Sequence, residues 1–120
     1  MSKKILIVDD DLGIIKLVGG LLKSAGYEVL SATDGLDALV VIKRDNPDLV
    51  ILDIMMPEMN GYDVCFHIKF SDELKHIPIL ILTVRERELS EQIGKRVGIE
   101  YMRKPFRGEE ILEHVHKMLP

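Results

Sequence analysis

At 120 residues the chain is close to the commonest domain size and holds one hydrophobic core, so a single domain over residues 1–120 is expected. Apolar residues make up 47% and charged residues 30%, with no low-complexity tract, which excludes a disordered segment. A net charge of −4 argues against direct nucleic-acid binding, although a partner could carry such a surface.

The first element is Ile5-Leu6-Ile7-Val8, a short apolar run with β-branched content and no alternation. Such runs suit parallel strands covered on both faces. Asp9, Asp10 and Asp11 stop it too early for a signal peptide, and no later segment reaches transmembrane length. Cys65 is the only cysteine, so no internal disulfide can form and nothing points to secretion. The chain is expected in the cytoplasm, away from membranes.

Ile14, Val18, Leu21, Leu22 and Ala25 then share a helical face ending at Gly26, with Asp11 as N-cap. Gly19-Gly20 weakens this helix by about 1 kcal/mol per glycine relative to Ala. Tyr27 to Ala32 is a weaker second strand. Asp34 opens a second helix carrying Leu36, Leu39, Val40 and Lys43, closed before Asn46-Pro47. Leu49-Val50-Ile51-Leu52 is the third strand, and a third helix carrying Val64 and Ile68 follows Gly61. Ile79-Leu80-Ile81-Leu82 is the fourth strand. Leu89, Ile93 and Val97 mark a short, thinly apolar fourth helix, and Glu100 to Met102 a weak fifth strand. Ile111, Leu112, Val115, Met118 and Leu119 make the last helix.

Strict β-α alternation, five times over, predicts a parallel sheet with right-handed crossovers and five helices shared between its faces. Ligands of such sheets bind beyond the carboxyl ends of the strands. There the first strand delivers Asp9, Asp10 and Asp11, the third Asp53, the fourth Thr83, and the fifth leads to Lys104-Pro105. Singly, a carboxylate after a strand is often a helix cap, a Thr structural, and a Lys a solvated surface group. Together they form a pattern. Clustered carboxylates are tolerated best beside a divalent cation, and Mg²⁺ prefers one or two carboxylates plus water and phosphate oxygens. A hydroxyl and an ammonium add a donor and positive charge for an anion. That set suits phosphoryl transfer, and an aspartate can itself be the nucleophile.

Val8-Asp9-Asp10, the segment Asp53-Ile54-Met55-Met56-Pro57-Glu58-Met59-Asn60-Gly61, Leu82-Thr83 and Lys104-Pro105-Phe106 resemble the response-regulator receiver family of two-component signalling. The similarity runs from about Lys4 to the last helix. It implies a flavodoxin-like sheet in the order 2-1-3-4-5. It also implies a switch, not an enzyme turning over an external substrate. Asp53 is similar to the phosphoryl acceptor, charged from the phosphohistidine of a sensor histidine kinase or a phosphotransfer protein. The implied cofactor is Mg²⁺, held by Asp10, Asp53 and the backbone carbonyl of Met55, with Asp9 acting through water. Lys104 resembles the partner of the phosphoryl oxygens, and Thr83 the hydroxyl that bonds the phosphoryl group. A cis peptide between Lys104 and Pro105 is implied as well. Tyr101 occupies the switch-aromatic position, coupled to Thr83. The output partner or domain is implied to use the face of the fourth helix, fifth strand and fifth helix, with a homodimer on phosphorylation as a further possibility.

The chain departs from the family pattern in three places. Val84 stands where a very small residue is usual, and can crowd the approach to Asp53. Gly98-Ile99-Glu100-Tyr101 is one residue shorter than the common turn, so the fifth strand is expected to start differently. Met55 and Arg85 flank the path of attacking water and, with Val84, are expected to lengthen the phosphorylated lifetime.

Two rivals stay open on the residues alone. A haloacid-dehalogenase-type phosphohydrolase would use Asp9 as nucleophile and Asp11 as acid, but leaves Asp53 without a task. A docking receiver that is never phosphorylated is favoured only by Val84. His114 and His116 are two apart and point to different sides of a helix, and His67 and His76 are isolated, so all four read as surface or packing residues. The six methionines read as core and loop fillers.

Overall fold

A computed structural model describes residues 2–54, 56, 59–83, 98–104 and 106–119, with Thr83 described through its backbone alone. In chain order these residues form β1 (Lys4–Val8), α1 (Leu12–Ser24), β2 (Glu28–Ala32), α2 (Gly35–Asp45) and β3 (Leu49–Asp53). α3 (Gly61–Lys69), β4 (Ile79–Thr83), β5 (Ile99–Arg103) and α4 (Gly108–Met118) follow. The helix expected around Leu89, Ile93 and Val97 lies outside the described residues. The fifth helix of the sequence reading is therefore α4.

All strand pairs are parallel, and the sheet order is β2-β1-β3-β4-β5, as expected. The continuous apolar runs have a direct cause. Alternate residues of a strand face opposite sides, and here both sides are covered. Leu6, Val8, Val50, Leu52, Ile79 and Ile81 join Ala38 and Ile42 of α2 and Val64 and Ile68 of α3 in one core. Ile5, Ile7, Leu49, Ile51, Leu80 and Leu82 join Val18 and Leu22 of α1 and Ile111 and Val115 of α4 in the other. Truncating one of the fully buried leucines or isoleucines to Ala would cost about 2–5 kcal/mol.

The helix ends follow local chemistry. Asp11 caps α1 by accepting from the Gly13 N–H at 2.8 Å, and Asp34 caps α2 through the Asp37 N–H at 2.8 Å. α2 ends at Asn46, which takes the left-handed conformation at φ 45°. α1 continues through its two glycines because Gly19 is buried against β1 and β2, where an added Cβ would lie 3.6 Å from Val29. β2 begins one residue later than the sequence pattern indicates, since the Tyr27 N–H turns back to the Leu22 carbonyl. β5 is longer than expected. Gly98, at φ 76°, directs its carbonyl to the Ile79 N–H at 2.7 Å, so pairing with β4 starts at once with Ile79 opposite Ile99.

Candidate functional site

The carboxyl edge of the sheet gathers most of the residues singled out above. β1 ends at Val8, and Asp9 and Asp10 follow directly. β3 ends in Asp53, and β5 runs into Lys104. Among the described residues, Asp9 and Asp53 are the two charged residues in the buried interior, 1% and 5% exposed, while Asp10 is exposed. Each of the three offers a carboxylate oxygen within 4.8 Å of the others'. No other group of three or more His, Cys, Asp or Glu side chains among the described residues meets that distance.

The acceptor end of β3 is fixed by a close approach. A Cβ on Gly61 would strike the Asp53 carbonyl oxygen and lie 2.8 Å from the Ile54 Cα, so only glycine lets α3 begin there. The Gly61 N–H donates to the Ile54 carbonyl at 3.0 Å. Asn60 and Asp63 close the same end reciprocally, side chain to backbone, at 3.1 and 3.3 Å. The turn that carries Asp53 is thus held from below by the start of a helix.

Asp9 is held from three sides. Its N–H donates to the Ala32 carbonyl at 3.2 Å, one carboxylate oxygen accepts the Asp11 N–H at 2.9 Å, and the other accepts the Lys104 ammonium at 3.1 Å. The same ammonium lies 3.5 Å from an Asp53 oxygen. Burial works to lower the Lys104 pKa. The hydrogen bond to Asp9 and the charges of Asp9 and Asp53 outweigh it, and the net shift is upward. One ammonium among three carboxylates leaves an excess of negative charge at a largely buried position. That excess, with an all-oxygen donor set, fits a hard divalent cation.

Thr83 ends β4 opposite Arg103 of β5, next to the Asp53 strand, which places its backbone at the same edge. Tyr101 lies on β5, half-buried against the core shared by α2 and α3, with its hydroxyl shielded from solvent. Met55, Val84, Arg85 and Pro105 lie outside the described residues, and so do the Met55 carbonyl ligand and the Lys104–Pro105 cis peptide. The histidines take packing and surface places. His116 Nδ1 lies 3.0 Å from the Tyr27 hydroxyl, His114 Nδ1 lies 3.8 Å from Glu100, and His67 and His76 are exposed. Asp11 serves as the cap of α1, accepting the Gly13 N–H with one carboxylate oxygen.

Lys69 is the residue that the sequence reading passed over. At the far end of the sheet its ammonium donates to the carbonyls of Ile77 at 2.6 Å and Lys75 at 3.1 Å. Its one sequence signal is a lysine in the last turn of a helix, where cations find carbonyl partners.

Known proteins share this sequence and fold. Over 120 residues the chain is 38% identical to the alkaline phosphatase synthesis transcriptional regulatory protein PhoP of Bacillus subtilis, covering 99% of this chain and 49% of PhoP. It is 36% identical to the probable transcriptional regulator ycf27 of Cyanophora paradoxa, covering 98% of this chain and 48% of that protein. The chain thus spans about half the length of the curated relatives it matches. Among solved structures, the chemotaxis response regulator CheY4 of Vibrio cholerae superposes with a TM-score of 0.88 at 35% identity, covering 99% of this chain and all of the other. A putative response regulator from Chloroflexus aurantiacus gives 0.87 at 33% identity, covering 99% and 98%. No helix among the described residues is long and apolar enough to cross a membrane. The response regulator receiver domain family matches residues 5–116, and the chain belongs to that family.

Proposed function

We propose that the chain is a phosphorylation-dependent switch whose Asp53 takes a phosphoryl group from the phosphohistidine of a sensor kinase or phosphotransfer protein. The observation that carries this reading is the meeting of Asp9, Asp10, Asp53 and the Lys104 ammonium at one edge of the sheet. An Asp53 carboxylate oxygen attacks phosphorus, the phosphorus–nitrogen bond of the donor breaks, and the imidazole leaves with the electron pair. Lys104, already 3.5 Å from Asp53, neutralises charge on the phosphoryl oxygens. Thr83, at the end of the neighbouring strand, supplies a hydroxyl donor to the same group. A Mg²⁺ ion bound by Asp10, Asp53 and the Met55 main-chain carbonyl, with Asp9 one water away, would offset the charge of the incoming phosphate. Two observations support that division: Asp10 is the exposed member of the trio, and both oxygens of Asp9 already accept hydrogen bonds.

Phosphorylation adds about −1.5 to −2 charges. A Thr83 drawn toward that charge makes room for the Tyr101 ring and reshapes the face of β5, α4 and the segment between β4 and β5. That face would carry the output, and a phosphorylation-dependent homodimer belongs to the same reading. The listening partner or attached domain would act in transcription, as the relatives' names say of them, or in another response. Hydrolysis of the acyl phosphate resets the switch, slowed by Met55, Val84 and Arg85.

The test is intact mass spectrometry after incubation with acetyl phosphate and Mg²⁺, beside Asp53→Asn. A single phosphoryl adduct that needs Mg²⁺ and disappears in the variant is expected. An adduct that persists in Asp53→Asn overturns the assignment.

A further inference from the structure

The outward face of α2 is symmetric in a way its neighbours are not. Leu36 and Val40 lie on the side of α2 opposite its buried residues Ala38, Val41 and Ile42, and each is 57% exposed. Two such apolar side chains at i and i+4 form a stripe. Asp37 flanks it three residues before Val40 and Lys43 three residues after; Leu36 and Arg44 stand four before and four after. All are exposed. Neither the Asp37 carboxylate nor the Lys43 ammonium has an ion-pair partner among the described residues, whereas Arg44 is held by Asp45 at 2.8 Å.

A two-fold axis through Val40 turns this pattern onto itself. Two α2 helices packed antiparallel would place Val40 against Val40, Asp37 against Lys43 of the other copy, and Leu36 against the aliphatic stem of Arg44. The Val40 contact lies on the axis and the other two each occur twice, as a closed two-fold interface requires. The other exposed apolar pairs lack this property. Phe66 and Phe70 stack with ring centroids 5.8 Å apart, but Phe70 is the C-cap of α3, so no helix continues beyond it to supply the mirrored half of such a face. Leu12 and Leu17 are five apart and diverge around α1.

We infer that the outward face of α2 is a self-association surface whose partner is a second copy of this chain. It is separate from the β5–α4 face and forms without a phosphoryl donor. One helix pair is a small interface, so the affinity falls at the weak end, with a dissociation constant on the order of 0.1–1 mM.

Sedimentation equilibrium up to about 1 mM chain tests it, with no phosphoryl donor present. Self-association is expected, weakened roughly tenfold in Asp37→Lys and in Lys43→Asp, because two reciprocal pairs become repulsive in each. An equimolar mixture of the two variants restores it, since each copy then offers the charge the other lacks. Val40→Cys lies on the axis and should form an intermolecular disulfide under mild oxidation at least tenfold faster than Phe70→Cys. A monomer at every concentration overturns the inference. So does association indifferent to both charge variants, a mixture no tighter than its components, or equal crosslinking at the two cysteines.

Discussion

Two lysines stand at opposite ends of the sheet and meet opposite environments. Lys69, below the start of β4, is surrounded by carbonyls: it fastens Lys75 and Ile77 and lies beneath the Gly98 turn, where an added Cβ would be 3.1 Å from its ammonium. Burial dominates there and lowers its pKa. Lys104, above β5, faces the full charges of Asp9 and Asp53, and its pKa rises. Neutral dipoles satisfy an ammonium's hydrogen bonds without compensating its lost hydration; carboxylates do both. The lower lysine is a fastener. The upper one is paired with full charges.

Removing each ammonium sharpens that contrast. Lys69→Met should lower stability by about 2 kcal/mol, because two carbonyls lose a charged donor, and should leave Mg²⁺ affinity unchanged. Urea unfolding and Mg²⁺ titration read the two parts, and a wild-type midpoint would break the comparison. Lys104→Met should cost a similar amount, about 2 kcal/mol, because the buried Asp9 carboxylate loses its charged donor while the open Asp10 side still admits counter-ions. Added Mg²⁺ should stabilise this variant more than the wild type.

Alkaline pH separates the two by sign. The pairing of Lys104 contributes in full below its ordinary pKa of 10.5 and is lost as pH rises through the raised value. Lys69 does the reverse. Between its lowered pKa and 10.5 the unfolded chain binds more protons, so the wild type gains stability relative to Lys69→Met as pH rises. Wild type should gain on Lys69→Met in urea midpoint below pH 10.5 and lose its margin over Lys104→Met above it, and parallel curves in both windows would refute the assignment. The smallest effect concerns Cys65, beside Lys69 in charge but buried and pushed up to about 11. Native protein should react with iodoacetamide at least 100-fold more slowly than urea-unfolded protein, because thiolate and access are both suppressed.

Much of this was legible in the residues. Strands β1, β3 and β4 announce themselves because burial on both faces demands unbroken apolar runs. The strand ends then name Asp9, Asp10, Asp53 and Lys104 without any contact being known. Tyr27 and Ile99 were misplaced because strand ends are decided by single backbone hydrogen bonds, which leave no periodic trace. Lys69 was missed for a related reason: main-chain carbonyls are present at every residue, so no motif marks the ones it serves. The preference of Lys104 for Asp9 over Asp53, 3.1 against 3.5 Å, is likewise a matter of tenths of an ångström between groups 95 and 51 residues apart in sequence. The symmetric stripe of α2 was written in the sequence, but its outward direction required knowing which side of the helix meets the sheet.

The core between α1 and α4 joins Val18 and Leu22, near the start of the chain, to Ile111 and Val115, near its end. During synthesis, therefore, one side of the growing sheet stays only half covered until α4 is made. Ile5, Ile7, Leu49, Ile51, Leu80 and Leu82 must wait, partly covered by α1, for a cover encoded about 30 residues beyond β4. On the other side, α2 and α3 come from the ribosome between the strands they protect. Nascent chains halted before Ile111 should therefore be the ones that recruit chaperones, with that single face as the exposed apolar surface.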